Sequence, residues 1–198
     1  EELQERGMGW LQDIVPNHMA YDGQNQYLMD VLEHGPDSRY VDYFDIEWEH
    51  SYDDIQGKVL APMLGDFYDR CLERGEIQLS YGPDGIKVNY YGLNFPVNVE
   101  SYKDFLTHEI SWLRRQMGRQ HPDYIKLTGI LNTVKNTFPS LKGQERRDQA
   151  TFVMQLLWEL YESNDEVKAF IDQNIEAFNG QPGKPHSFDL LDRLLLEQ

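Results

Sequence analysis

Apolar residues change their spacing along the chain, and each change marks an element. The first six residues, polar or charged except for Leu3, stop at Gly7, as the last turns of a helix do. Trp10, Leu11, Ile14 and Val15 then form a strand-like run that ends at Pro16. A proline cannot donate to a sheet ladder, and it pushes the residue before it toward extended geometry. Residues 19–26 read as a polar loop. Tyr27, Leu28, Val31 and Leu32 recur at helical spacing, and Gly35-Pro36 closes that helix. Leu64, Phe67, Tyr68, Cys71 and Leu72 make a second stripe, closed by Gly75. The period then drops to two. Ile77, Leu79 and Tyr81 alternate, as do Ile86, Val88 and Tyr90, with Gly82-Pro83-Asp84-Gly85 as the turn between them. A lone hairpin is marginal in water, so its apolar face must lie on neighbouring helices.

Residues 92–99, with Pro96 among them, read as an extended crossing. Beyond them the helical period returns and stays. Ser101, with Asp104 three residues on, has the form of an N-cap, and Phe105, Leu106, Ile110, Leu113 and Met117 form one inner stripe. Leu127, Ile130, Leu131, Val134 and Phe138 form the next, stopped by Pro139. Gly129 inside that helix costs about 1 kcal/mol relative to alanine and leaves room for close helix approach. A long helix is expected over 144–163, with Phe152, Val153, Leu156, Leu157 and Leu160 inward. Asn164 or Asp165 caps a fourth, whose inner face is Val167, Phe170, Ile171, Ile175 and Phe178, closed by Asn179-Gly180. Ser187 opens a last helix carrying Phe188, Leu191, Leu194 and Leu195. These stripes are core positions, and no repeat of solenoid type is present.

A chain of 198 residues can bury a real core. Its net charge of -16 argues against nucleic acid and anionic membrane as partners, because both demand basic patches. Neutral sugars remain compatible. The one cysteine, Cys71, sits on an apolar stripe and reads as a buried structural thiol. No apolar run is long enough to span a bilayer and no signal peptide opens the chain, which fits a cytoplasmic location. The six histidines (18, 34, 50, 108, 121, 186) show no pair at ligand spacing on one helix face, so a metal site is not expected. Both ends of the chain read as cut within helical text, as in a piece of a larger enzyme.

Two motifs carry chemistry. Asp13-Ile14-Val15-Pro16-Asn17-His18 places a carboxylate, an amide and an imidazole at the end of the strand-like run, and a carboxylate there needs a cation or several donors if it is buried. Its Asp-x-Val-x-Asn-His pattern resembles the first signature of the α-amylase-type glycoside hydrolases, at the end of the third barrel strand. The runs Asp30-Val31-Leu32-Glu33-His34-Gly35-Pro36-Asp37-Ser38-Arg39-Tyr40, Tyr43-Phe44-Asp45-Ile46-Glu47-Trp48 and Gly57-Lys58-Val59-Leu60-Ala61-Pro62-Met63-Leu64-Gly65-Asp66 resemble, more narrowly, the maltooligosyl trehalose synthase family. The likeness covers about residues 7–102.

The resemblance implies a mainly α fold with a small β-hairpin, cut from a (β/α)8 barrel enzyme. Residues 1–18 would be the end of a barrel helix and the third strand. Residues 19–100 would form an insertion subdomain with the hairpin at 77–90, residues 101–186 its helical part, and residues 187–198 the start of a helix returning to the barrel. His18 would bind the sugar ring before the cleaved bond, Asp13 would support the catalytic-site arginine, and Asn17 matches a residue that holds calcium in some relatives. No calcium and no other cofactor is expected, since this family does not depend on the metal. The partner implied is a maltooligosaccharide. The family nucleophile lies in an Arg-x-Asp signature. The match here, Arg146-Arg147-Asp148, falls in the charged first turns of a helix with no strand before it and reads as solvated surface. No catalytic carboxylate is assigned to this chain, which by itself is expected to be inactive. Cut from its barrel neighbours, the strand over residues 8–15 invites pairing with a second copy. Two other readings stay open: another amylase-type hydrolase or glucanotransferase, and a non-catalytic helical interaction module.

Overall fold

A computed structural model describes residues 2–9, 11, 13, 20–52, 55–59 and 61–197. Nine α-helices and one sheet are seen among them: α1 Glu2–Glu5, α2 Gln26–His34, α3 Tyr68–Glu73, β1 Ile77–Gly82, β2 Gly85–Tyr90, β3 Leu93–Pro96, α4 Tyr102–Thr107, α5 Ile110–Met117, α6 Pro122–Asn132, α7 Gly143–Ser163, α8 Asp165–Asn179 and α9 Asp189–Leu196. The molecule is mainly helical with a small antiparallel sheet in the order β1-β2-β3.

The hairpin forms where the period of two predicts it, with Gly82 paired to Gly85 across a tip of Pro83 and Asp84. The expected extended crossing supplies a third strand, with Phe95 opposite Val88 and Pro96 opposite Lys87. Pro96 is tolerated because it closes the last strand of the sheet, where a missing donor is least costly. The other edge is covered by a side chain. The Asn179 amide accepts from the Leu79 N–H (2.6 Å) and donates to the Leu79 carbonyl (3.0 Å), as a further strand would. The sheet meets the helices through Tyr102, whose hydroxyl accepts the Ile86 N–H at 2.7 Å. Gly85, at φ +88°, leaves no space for a Cβ, which would stand 2.1 Å from that hydroxyl oxygen.

One continuous core runs from Cys71 to Leu194 and includes Phe105, Leu113, Leu127, Leu157, Phe170 and Ile171, all at most 1% exposed. Cys71 is buried, as the stripe predicts. Each such side chain contributes about 1.5–3 kcal/mol by leaving water. Asn164 is the cap of α8, accepting from the Glu166 and Val167 N–H groups.

Several expectations are corrected. The helix expected across 101–117 is two helices, broken where Glu109 takes φ 49°. Asn174 on α8, 1% exposed, makes the break tolerable by donating to the freed carbonyls of Phe105 (2.8 Å) and His108 (3.2 Å). Ser101 does stand at the cap position of α4, but the capping bond comes one turn earlier, from Asn98, whose side chain accepts the Ser101 N–H. The stripe that ends α6 continues as a single π turn, Thr133–Thr137. Phe67 and Phe152, expected inward, are 74% and 55% exposed, and among the described residues nothing lies within 4 Å of a Cβ built on Gly129, so none of the described helices approaches closely there.

Candidate functional site

Asn17 and His18 lie outside the described residues. Asp13 is exposed. Of the stretch 8–15, Met8, Gly9, Leu11 and Asp13 are described; none belongs to a regular element and Leu11 is 97% exposed.

The motif run from Asp30 to Tyr40 is placed in full, and its residues turn out to grip a helix far along the chain. Helix α2 ends at Gly35, φ 58°, whose N–H returns to the Val31 carbonyl. Pro36 then starts a 3-10 turn, Gly35–Asp37, as its fixed φ favours. Ser38 donates to the Asp30 carboxylate and receives the Tyr40 N–H, pinning the turn to the helix before it. Asp37 Oδ1 accepts the Gly143 N–H at the start of α7 (2.7 Å). From the next turn of α7, Arg146 donates through Nε (2.8 Å) and Nη2 (2.6 Å) to Glu100 Oε1, and through Nη1 (3.1 Å) to the His34 carbonyl. Its Nε also lies 3.7 Å from Asp37 Oδ2, and the guanidinium rests 5.8 Å from the centre of the Phe138 ring. Arg147 donates to the Asp37 carbonyl.

The reading of Arg146-Arg147-Asp148 as solvated surface is therefore corrected for the arginines. The Arg146 side chain is 11% exposed. Asp148 is exposed, as expected. A charge this deep is held because a planar fork of five donors can meet several acceptors at once.

Titration adds a second feature that sequence reasoning did not single out. Burial, followed by the charges of Asp30 and Asp84, raises the Glu33 carboxyl to about 7, against weaker opposition from Lys87 and Arg146. Burial also lowers the His34 imidazole below its ordinary value; Asp30 opposes this, and Arg146, Arg147 and Arg39 add to it. The 3.8 Å approach of His34 Nε2 to Glu33 Oε1 is accordingly no ion pair near neutral pH, since both groups lean toward their uncharged forms. Glu-His in the motif was the available signal, but neither burial nor neighbours could be read from it.

This cluster borders a cleft of about 570 Å³. Its lining includes the rings of Tyr21, Trp48 and Tyr68 together with His34, Glu100 and Arg146, the mixture of apolar wall and few polar groups typical of ligand pockets. A second hollow beside it is bordered by Asp42, Tyr43, Phe44, Asp45 and Trp48. Tyr27, Tyr40 and Tyr43 pack on one another at 4.8–5.4 Å rather than in the main core, and Tyr43 remains 60% exposed. The arrangement can bind and position. Among the described residues no group of three metal-ligating side chains converges, and no helix is long and apolar enough to cross a membrane.

No family model matches the chain, and no solved structure gives a significant match. A stretch of 66 residues, 32% of the chain, is 41% identical to proteins of Mycobacterium tuberculosis, in strains CDC 1551 / Oshkosh and H37Rv, that carry the name "Putative maltooligosyl trehalose synthase". The match covers 8% of the length of each of these relatives.

Proposed function

We propose that this chain is part of a maltooligosyl trehalose synthase and forms one wall of its substrate cleft. The observation that carries the reading is the 41% identity over 66 residues to the mycobacterial proteins of that name. The motif runs from Asp30 to Trp48 and from Gly57 to Asp66 support it. The reaction is an isomerisation. The α-1,4 bond at the reducing end of a maltooligosaccharide becomes the α,α-1,1 bond of a terminal trehalose unit, with configuration retained through two displacements at the anomeric carbon.

Such an outcome sets a physical requirement. The glucose released in the first displacement must stay, turn over and attack before water does, so its pocket must exclude water. In this reading His18 holds the sugar ring before the cleaved bond, Asp13 supports an arginine of the catalytic site, and Asn17 shapes the same rim. The attacking carboxylate and the acid-base partner come from parts of the enzyme beyond these residues. The half-buried, charge-balanced cluster around Arg146 and the aromatic side chains lining the adjacent cleft suit a wall that must be held rigid.

The test is product analysis on maltopentaose. The intact protein that contains this chain should yield a trehalose-terminated product, and His18→Ala should cut its turnover strongly. The purified 198-residue chain should yield none. Plain hydrolysis by the intact protein, or unchanged turnover after the substitution, would count against the reading.

A further inference from the structure

We infer that Arg146 is a positioning residue: it locks the motif-bearing segment onto the helical body and so keeps the cleft beside it closed to water during transfer. The consequence for transfer rests on the function proposed above; the lock itself rests on geometry alone.

Arg146 ties together three places distant in sequence. One guanidinium meets the carbonyl that ends α2 (His34), the carboxylate of the following 3-10 turn (Asp37) and the carboxylate that precedes α4 (Glu100). The adjacent Arg147 and the Gly143 N–H hold the same Asp37 by its carbonyl and its other carboxylate oxygen. The turn 35–37 is thus gripped at both its backbone and its side chain by the first turn of one 21-residue helix.

Between this grip and α3, the described residues form no α-helix and no strand, only 3-10 geometry at Val41–Tyr43 and at Ile55, with turns and bends between. The segment is held by anchors at its two ends and, within its length, by Lys58, whose ammonium donates to the Leu196 carbonyl. The far anchor is the Gly65 N–H, which donates to the Tyr90 hydroxyl at 2.8 Å. The near anchor is the Arg146 cluster. Trp48, carried midway along the segment, lines the same cleft as His34, Glu100 and Arg146. Its ring lies against Gly35, within 3.9 Å of where a Cβ would stand. Trp48 thus packs on the gripped turn itself, so releasing the turn loosens the aromatic wall.

Arginine is required for this by shape as well as charge. A lysine ammonium presents its donors around one point and cannot reach a carboxylate and a carbonyl on opposite edges of a plane. Removing the cation leaves Glu100 and Asp37, both half-buried, without their common partner.

The experiment uses the intact protein and measures, on maltopentaose, the ratio of free glucose to trehalose-terminated product, alongside thermal unfolding. Arg146→Ala is expected to raise the ratio severalfold, and Arg146→Lys to raise it less. Leu160→Ala is the control: it empties a buried position of the same helix and should lower thermal stability while leaving the ratio unchanged. A folded Arg146→Ala with the wild-type ratio overturns the inference. So does a Leu160→Ala that shifts the ratio as much, because loosening α7 in general would then suffice. Should Arg146→Ala not fold, Arg146→Lys decides in the same way. An intact wild-type protein that makes no trehalose linkage removes the proposed function itself, and this inference with it.

Discussion

Residues 20–75 and residues 101–197 are held together in opposite ways. The later region is a set of amphipathic helices around aromatic and aliphatic side chains that are almost wholly buried. The earlier region carries the family-like motifs, yet Tyr27, Tyr43, Tyr52, Ile55 and Phe67 all stand more than 40% exposed in it. Apart from the buried Leu28, Val31, Cys71 and Leu72 of its two helices, its order comes from polar devices: the Ser38–Asp30 bond, the grip on Asp37, the hydroxyl of Tyr90 under Gly65. Hydrophobic burial is non-directional and builds a body, whereas hydrogen bonds and ion pairs hold a segment in one orientation without enclosing it. A region that must present side chains to something else is suited to the second kind of support.

The contrast can be broken at its strong end first. Phe105→Ala in the body empties a site with 0% exposure and should cost about 3–5 kcal/mol in a denaturant titration. Tyr43→Ala in the early region, 60% exposed, should cost under about 0.5 kcal/mol in the same titration. Equal costs would erase the distinction.

A pH series sharpens it next. The Glu33 carboxyl rises on folding from 4.5 to about 7, so the folded chain keeps a proton that the unfolded chain gives up. Its contribution to stability is complete below the unfolded value, declines as pH rises through this window, and is gone above the folded value. Glu33→Gln should therefore be the more stable protein at pH 8, by about 1–3 kcal/mol, and should lack the decline that wild type shows between pH 5 and 7. Parallel pH profiles for the two proteins would show that this buried carboxyl is not linked to folding. A smaller effect than those at Phe105 and Glu33 is expected at a helix end of the body: Asn164→Ala removes the acceptor for two N–H groups of α8 and should cost about 1 kcal/mol.

Much of the body was legible without coordinates because its signals are local. The stripes over α6, α7 and α8, the Asn164 cap and the alternation of the hairpin each need only a few neighbouring residues to be read. The errors fall where a local pattern met a distant partner. Phe67 sits at helical spacing but precedes α3 as its cap, with extended backbone (ψ 141°), so the stripe does not carry it inward. Phe152 lies beside, not on, the buried line Ala150, Val153, Leu157 and Leu160 of α7. The unbroken helix expected from 101 to 117 was cut in two because Asn174, about 70 residues away in sequence, satisfies the carbonyls at the break. Of the candidate site, Asp13, Asn17 and His18 were read from a motif, while the pairing of Arg146 with Asp37, Glu100 and His34 left no trace in spacing.

By itself the sequence determined the periods, hence most of the helices and the hairpin, and the motif runs that resemble the maltooligosyl trehalose synthase family. Only the tertiary structure decided what those motif residues touch. Arg146 reaches the carbonyl of His34 across 112 positions and the carboxylate of Glu100 across 46. A charged residue in the first turn of a helix has the same local appearance whether it faces water or a turn folded back from far away. The choice between the two is made by packing, which brings donors and acceptors together only after the helices have found their places.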